Sequence, residues 1–211
     1  DLHLCDRRQR QMCIRDRHPQ AHRKQRKLIT LTRNIVTMEL IEQLKSDGID
    51  KGLCRPWQKK LKAGLSVEEL AKLYIKGIDF CISEDYPTLD FLREHFKGAC
   101  EPFGVYVDDE IPPAKNKPDM VLNGACKAML EYDGYSVSRL YVRHESEVAV
   151  IVSDNAIVTI DLFDNAKLHL SVVGKEAVVS VNVFGNNAET EYIGIATTTK
   201  VNVKYNDKIT Y

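Results

Sequence analysis

From residue 125 to residue 185 the chain repeats every ten residues, and each unit carries three inward-type positions spaced two apart. Five units run in step: Ala128, Leu130 and Tyr132; Ser138, Leu140 and Val142; Val148, Val150 and Val152; Val158, Ile160 and Leu162; Leu168, Leu170 and Val172. After a slip of one residue near Lys175 come Val179, Val181 and Val183, and only Ser138 is polar in the whole set. Alternation with a period of two puts one face of a strand into a core and the other into water. A fixed repeat of such strands marks stacked β units that share one continuous core.

Corners recur at Asp133-Gly134, Asp154-Asn155, Asp164-Asn165, Gly174-Lys175 and Gly185-Asn186. Asp, Asn and Gly tolerate the left-handed conformations that tight corners demand. Just past the corners stand Ala156, Ala166 and Ala177, small enough to let neighbouring units stack closely. Two architectures fit. In a β-solenoid each unit supplies one strand and one corner, so two units make a coil of about twenty residues. In an antiparallel meander the same dipeptides are hairpin turns. Equal unit length, corner alanines and apolar columns favour the solenoid. The pattern decays after Asn187, and the segment from Thr197 to Tyr211 adds a further strand, lies across the open end, or pairs with another subunit. Exposed terminal rungs invite edge pairing, so self-association through them is a second expectation.

The first seventeen residues read differently. Arg7-Arg8-Gln9-Arg10-Gln11-Met12-Cys13-Ile14-Arg15-Asp16-Arg17 is one frame of a transposase sequencing adapter, and Asp1-Leu2-His3 fits the primer sequence upstream of it. Such a segment is set aside before fold reasoning. Residues 18–37 carry five basic and no acidic groups and lead to Met38, so residues 1–37 are expected to be non-native or disordered. They hold ten of the 30 basic and three of the 30 acidic residues, which leaves 20 basic and 27 acidic groups in residues 38–211, a net charge of −7. The even balance of the full sequence therefore hides an acidic remainder, with no electrostatic footprint for nucleic acid or for an anionic membrane. No apolar run reaches the roughly 18 residues of a membrane span. Starting from Met38, no signal peptide is visible, which points to the cytoplasm or, for a phage-borne protein, the virion.

Residues 38–98 read as a small helical module. Leu40, Ile41 and Leu44 share a helical face that Asp47-Gly48 ends, and Leu53, Trp57 and Leu61 mark a short second helix with Pro56 in its first turn. Ser66 and Glu69 form a capping box ahead of Leu70, Leu73 and Tyr74. A further helix begins near Pro87-Thr88 and runs through Leu89, Phe91, Leu92 and Phe96. Residues 99–123 are expected to be a linker, with a strand at Phe103 to Val107 and an exposed acidic and Pro-rich loop after it. Asp108, Asp109, Glu110 and Asp119 lack the spacing of a calcium loop, which makes a solvated turn the better reading. The fold class is thus α+β, with a helical module followed by a repetitive β module over residues 124–211.

Cys54, Cys81, Cys100 and Cys126 are separated by 27, 19 and 26 residues, without the close pairing of a structural zinc site. Free, mostly buried thiols are expected, with no metal and no cofactor. Three phrases carry a resemblance: Gly52-Leu-Cys-Arg-Pro-Trp57, Leu65-Ser-Val-Glu-Glu-Leu-Ala-Lys-Leu-Tyr-Ile75 and Tyr132-Asp-Gly-Tyr-Ser-Val-Ser-Arg-Leu-Tyr-Val142. From about Gly52 to Tyr211 the chain resembles a family of uncharacterised proteins encoded by gut bacteria and their phages or mobile elements. That resemblance implies no activity and no site residues.

The functional expectation is a non-enzymatic structural or binding protein. Thr159, Asp161, His169, Ser171, Ser180 and Asn182 would form a regular outward surface for a protein or glycan partner. One alternative is a carbohydrate-active enzyme on a β-solenoid, drawing on Asp133, Arg139, Arg143, His144, Glu145 and Glu147 for acid–base work. His144, however, sits at a corner position, where a turn residue is the simpler reading. The other alternative is a DNA-binding helical module, which the ten basic and eleven acidic groups of residues 38–100 oppose.

Overall fold

A computed structural model describes residues 36–195 and 200–211. Expectations for residues 1–35 lie outside the described residues. The two residues before Met38 belong to the helical part: Val36 is buried, and the Thr37 hydroxyl accepts from the Leu40 amide at 3.3 Å to cap the first helix.

The helical part consists of α1 (Met38–Asp50), α2 (Arg55–Gln58), α3 (Val67–Lys76), α4 (Ile78–Ser83) and α5 (Leu89–His95). Gly48 does not end α1 as expected. It lies inside the helix, where a Cβ would stand 2.9 Å from a Leu53 methyl and 3.0 Å from the Tyr86 hydroxyl oxygen, so its missing side chain admits both neighbours. The helix stops instead at Lys51-Gly52, with Gly52 at φ +89°. The capping box forms in full: Ser66 Oγ accepts from the Glu69 amide at 3.2 Å, and the Glu69 carboxylate accepts from the Ser66 amide at 2.9 Å. That acceptor role holds the Glu69 carboxyl below its ordinary pKa. Thr88 caps α5 in the same way, accepting from the Phe91 amide.

A turn of 3-10 helix (Glu101–Phe103) leads into eleven strands: β1 (Val105–Val107), β2 (Glu110–Lys115), β3 (Asp119–Asn123), β4 (Lys127–Tyr132), β5 (Val137–Val142), β6 (Glu147–Val152), β7 (Ile157–Leu162), β8 (Lys167–Val172), β9 (Val178–Phe184), β10 (Glu189–Ile195) and β11 (Lys200–Asn206). Odd strands form a six-stranded sheet in the order β1-β3-β5-β7-β9-β11, and even strands a five-stranded sheet in the order β10-β8-β6-β4-β2. All pairings are parallel. The fold is a β-solenoid of about five turns, with the sequence columns from Leu130 to Val183 facing one another between the two sheets.

The solenoid begins earlier than the sequence suggests. Residues 99–123, expected as a linker, supply β1 to β3. Pro112 and Pro113 disguised β2, since Pro lacks the amide a central strand needs; β2 is an edge strand, where that loss is tolerated. The slip near Lys175 is absorbed in the corner between β8 and β9, and Ile157 still pairs with Val178. Gly174 makes that corner possible: a Cβ there would overlap the Asp154 backbone nitrogen at 2.4 Å.

Corners stack through one recurring device. Asp108, Asn116, His144, Asp154 and Asp164 all adopt positive φ. Gly134 donates its amide to the Asp154 carboxylate of the next coil at 3.1 Å, and His144 donates to Asp164 at 3.0 Å. In the same row the Gly124 amide donates to His144 Nδ1 at 3.1 Å. Small side chains fill the position behind each corner, with Ala156, Ala166 and Ala177 fully buried.

The helical part packs on the outer face of the six-stranded sheet at its N-terminal end. Val105, Val107, Val121, Tyr141 and Phe163 join Leu92, Phe96 and Tyr74 in one core. Arg93 of α5 clamps the first corner, with its Nε 2.7 Å from the Asp108 carboxylate.

Candidate functional site

Two outer faces remain, and they differ in chemistry. On the five-stranded sheet the register places Glu110, Lys127, Glu147, Lys167 and Glu189 side by side in one row that crosses the strands, with charge alternating at every step. Lys167 and Glu189 meet at 3.1 Å. In the adjoining row His169 lies 2.8 Å from Glu191 and 3.4 Å from Glu147. The register of this face thus sets each charge of the row beside an opposite one.

The six-stranded sheet is covered by helices at one end and free at the other. Its free part carries an apolar row, Val137, Ile157 and Val178, beside a polar row, Arg139, Thr159, Ser180 and Asn202. Val137 is 68% exposed and Ile157 45%. Asp119 pairs with Arg139 at 2.8 Å where the polar row begins.

Farther across the same sheet, Asp161 and Asn182 are neighbours, and Asn182 Nδ2 donates to the Asp161 carboxylate at 2.6 Å. The Tyr211 hydroxyl donates to the other carboxylate oxygen at 2.6 Å, and Asp161 is buried beneath it. Phe163 and Phe184 stack with centroids 4.6 Å apart, and the Tyr211 ring stands edge-on to both at 5.3 and 5.1 Å. Burial, and then donation to Asp161, pushes the Tyr211 phenol far above its ordinary value. Residues 209–211 thus return to the outer face of this sheet instead of extending past the end.

The surface expected from sequence divides accordingly. Thr159 and Ser180 come together, as do Asp161 and Asn182, but His169 and Ser171 lie on the opposite sheet. Each ten-residue unit carries the chain to the other face, so only every second unit shares a surface. Asp161 is an internal acceptor, with no free face to offer.

The charged residues weighed for acid–base chemistry are dispersed. Asp133 sits at a corner with Lys115 and Asn116, Arg139 on the six-stranded sheet, and Glu147 on the five-stranded one. Glu145 accepts from Asn165 Nδ2 at the next corner. His144 spends its Nδ1 on the Gly124 amide; desolvation, and then the neighbouring Arg143 charge, lower its pKa. Asp108, Asp109, Glu110 and Asp119 do not converge either, since Arg93, the Val107 amide and Arg139 engage three of them and Glu110 lies on the other sheet. Among the described residues no three His, Cys, Asp or Glu side chains are grouped to hold a metal ion.

Two features escaped the sequence reading. One is a buried polar link between helices and solenoid: Arg143 reaches Asp85 at 3.3 Å beside Tyr74, whose hydroxyl donates to Asn123 at 3.0 Å. Arg143 Nε and Nη1 are buried there without a hydrogen-bond partner among the described residues. A charged residue following an inward column was the only signal. The other is a cavity of about 220 Å³ within the helical part, walled by Trp57, Leu61, Leu73, Phe80, Tyr86 and Phe96. Cys54 and Cys81 also border it, and burial pushes the Cys81 thiol up to about 12, which keeps it protonated. Among the described residues the four cysteines are free, and Cys54 alone of them is exposed. Among the described residues no helix is long and apolar enough to cross a membrane. In comparison with known proteins, no family model, no curated protein and no solved structure matches the chain.

Proposed function

We propose that this chain is a non-enzymatic binding scaffold that offers the free part of its six-stranded sheet to a protein or glycan partner. The observation that carries the reading is the apolar row of exposed Val137 and Ile157 and half-buried Val178, running beside the hydroxyls of Thr159 and Ser180. A rigid strip with aliphatic and hydroxyl rows side by side suits recognition, because its side chains lose little freedom on binding. The five-stranded face, a row of alternating charge in which Lys167 and Glu189 are already paired, is the weaker candidate. The resemblance to proteins of gut-bacterial phages and mobile elements supports a role in that setting.

The test compares the protein with an Ile157→Arg, Thr159→Arg, Ser180→Arg variant. Both are applied to a glycan array and to chemical cross-linking in lysate of a gut-bacterial host. A partner or glycan held by the parent and lost by a variant of unchanged thermal stability is the expected result. Equal capture by both proteins rejects this face. A polysaccharide turned over by the parent but not by Glu147→Gln would replace the reading with an enzymatic one.

A further inference from the structure

The two ends of the solenoid are finished differently. At the N-terminal end, the Val105 amide donates to Cys100 and the Val107 amide to the Asp109 carboxylate, so β1 has its donors engaged. On the other sheet Pro112 and Pro113 leave the edge strand β2 without two of its amides. Of the inward side chains at this end, Met120 and Ile111 are buried, and Tyr106 of the end strand β1 is half-buried.

At the C-terminal end β10 and β11 stand last in their sheets, and no described strand pairs with their far edges. The core columns arrive there uncovered. Tyr205 follows Val183 in one column, and exposure rises from 1% to 67%; Tyr192 follows Leu170 in the other, and it rises from 0% to 37%. An edge of this kind is a template for a further strand.

We infer that a second copy of this chain covers this end, tail to tail, with β10 of each copy pairing antiparallel with β11 of the other. Head-to-tail growth is opposed by the finished N-terminal edges, so the assembly closes as a two-fold pair. Two axes perpendicular to the solenoid would bring the ends together. An axis normal to the sheets sets β11 against β11 and β10 against β10. An axis along the strands exchanges the sheets and sets β11 against β10. Charge decides between them. The outward row of β11 is Lys200, Asn202 and Lys204, whereas that of β10 begins with Glu189 and Glu191. Like-with-like pairing would oppose lysines to lysines and glutamates to glutamates, which is destabilising across a ladder. Pairing β11 with β10 opposes a lysine to a glutamate once at each of the two symmetry-related junctions. It also continues the row Glu110, Lys127, Glu147, Lys167, Glu189 with a lysine from the second copy.

Seven residues span about 23 Å and the sheets lie about 10 Å apart, so the end, with its flanking side chains, offers on the order of 500 Å² per copy. A total of about 1,000 Å² is the small end of specific interfaces, and the pair is therefore concentration-dependent.

Sedimentation velocity of the full chain from about 1 to 200 µM tests this. The expected result is a monomer–dimer equilibrium that Lys200→Glu, Lys204→Glu weakens at least tenfold without changing the circular dichroism. Adding Glu189→Lys and Glu191→Lys to that variant restores opposite charges across the proposed pairing and should return the dimer. A monomer throughout, a dimer indifferent to the lysine reversal, or open-ended growth overturns the inference. Should the fourfold variant fail to fold, a mixture of the lysine-reversed and glutamate-reversed proteins replaces it, and heterodimer formation is required. The face variant of the preceding section leaves these edges intact, so loss of a partner there and loss of the dimer here are separable.

Discussion

In the solenoid, contacts recur: Val158 lies between Ser138 and Val179 in one column, and Val148 lies between Ala128 and Leu168 in another. Each inward side chain is held at a fixed height by ladders on two sides. In the helical part, no contact recurs. Gly48 makes room for Tyr86, the Tyr86 hydroxyl donates to the Leu44 carbonyl at 2.6 Å, and Trp57 packs over Gly77 beside a cavity of about 220 Å³. The difference teaches where packing defects are tolerated. A ladder-bound core cannot collapse around a void, whereas short helices about an existing cavity can shift.

The largest expected effect tests that contrast directly. Leu140 is fully buried between ladders, and Leu140→Ala should cost stability in the upper part of the roughly 2–5 kcal/mol range for such truncations. Leu73, half-buried on the cavity wall, should cost no more than about 2 kcal/mol on the same change, because its surroundings can close in. Urea unfolding of both variants measures the gap, and equal losses would break the comparison.

A middle-sized effect sits at the junction of the two regions. Arg143 is buried, two of its nitrogens have no partner among the described residues, and Asp85, its ion-pair partner, is exposed. Poorly compensated buried charge favours replacement by an apolar side chain of similar volume. Arg143→Met should therefore raise the melting temperature, by a stabilisation of about 1–4 kcal/mol. A clear fall would mean that the guanidinium holds the helices to the sheet.

The sequence made the repeating region legible and the unrepeated region only partly so. Inward columns, corner residues and the twenty-residue coil were readable because the same physical demand recurs at each coil. The capping box was equally clear, since Ser66 and Glu69 meet a local requirement. The first coil was hidden by Pro112 and Pro113, whose meaning depends on standing at an edge. Tyr141 breaks the run of polar outward residues because it faces the helices, which no local pattern reports. Met129 and Ile151 also break the pattern, yet they are simply exposed. At the candidate site, Thr159 and Ser180 were found together, but the assignment of His169 and Ser171 to the same surface failed. Which units share a sheet follows only once the coil is known. Residues 209–211 settle on Phe163 and Phe184 through long-range contacts that carry no spacing signal.

The smallest expected effect separates His144 from the other corner residues. Asp154 and Asp164 fill equivalent left-handed positions and accept there through carboxylates. His144 accepts from Gly124 only while Nδ1 is unprotonated. Burial and the Arg143 charge lower its folded pKa; Asp164 and Asp85 pull the other way with lesser weight, and Arg93 adds to the lowering. The unfolded chain consequently takes up this proton first. The stability that neutral His144 contributes is complete above its ordinary value of about 6.5 and drains away as the pH falls through the folded value. One corner hydrogen bond is worth about 1 kcal/mol net. His144→Asn supplies an acceptor that does not titrate and tolerates positive φ, as Asn116 does at its own corner. Between pH 7.5 and pH 5 the parent should lose about 1 kcal/mol more than the variant in parallel urea titrations. Identical pH profiles would mean that the bond from Gly124 to His144 contributes nothing that protonation can remove.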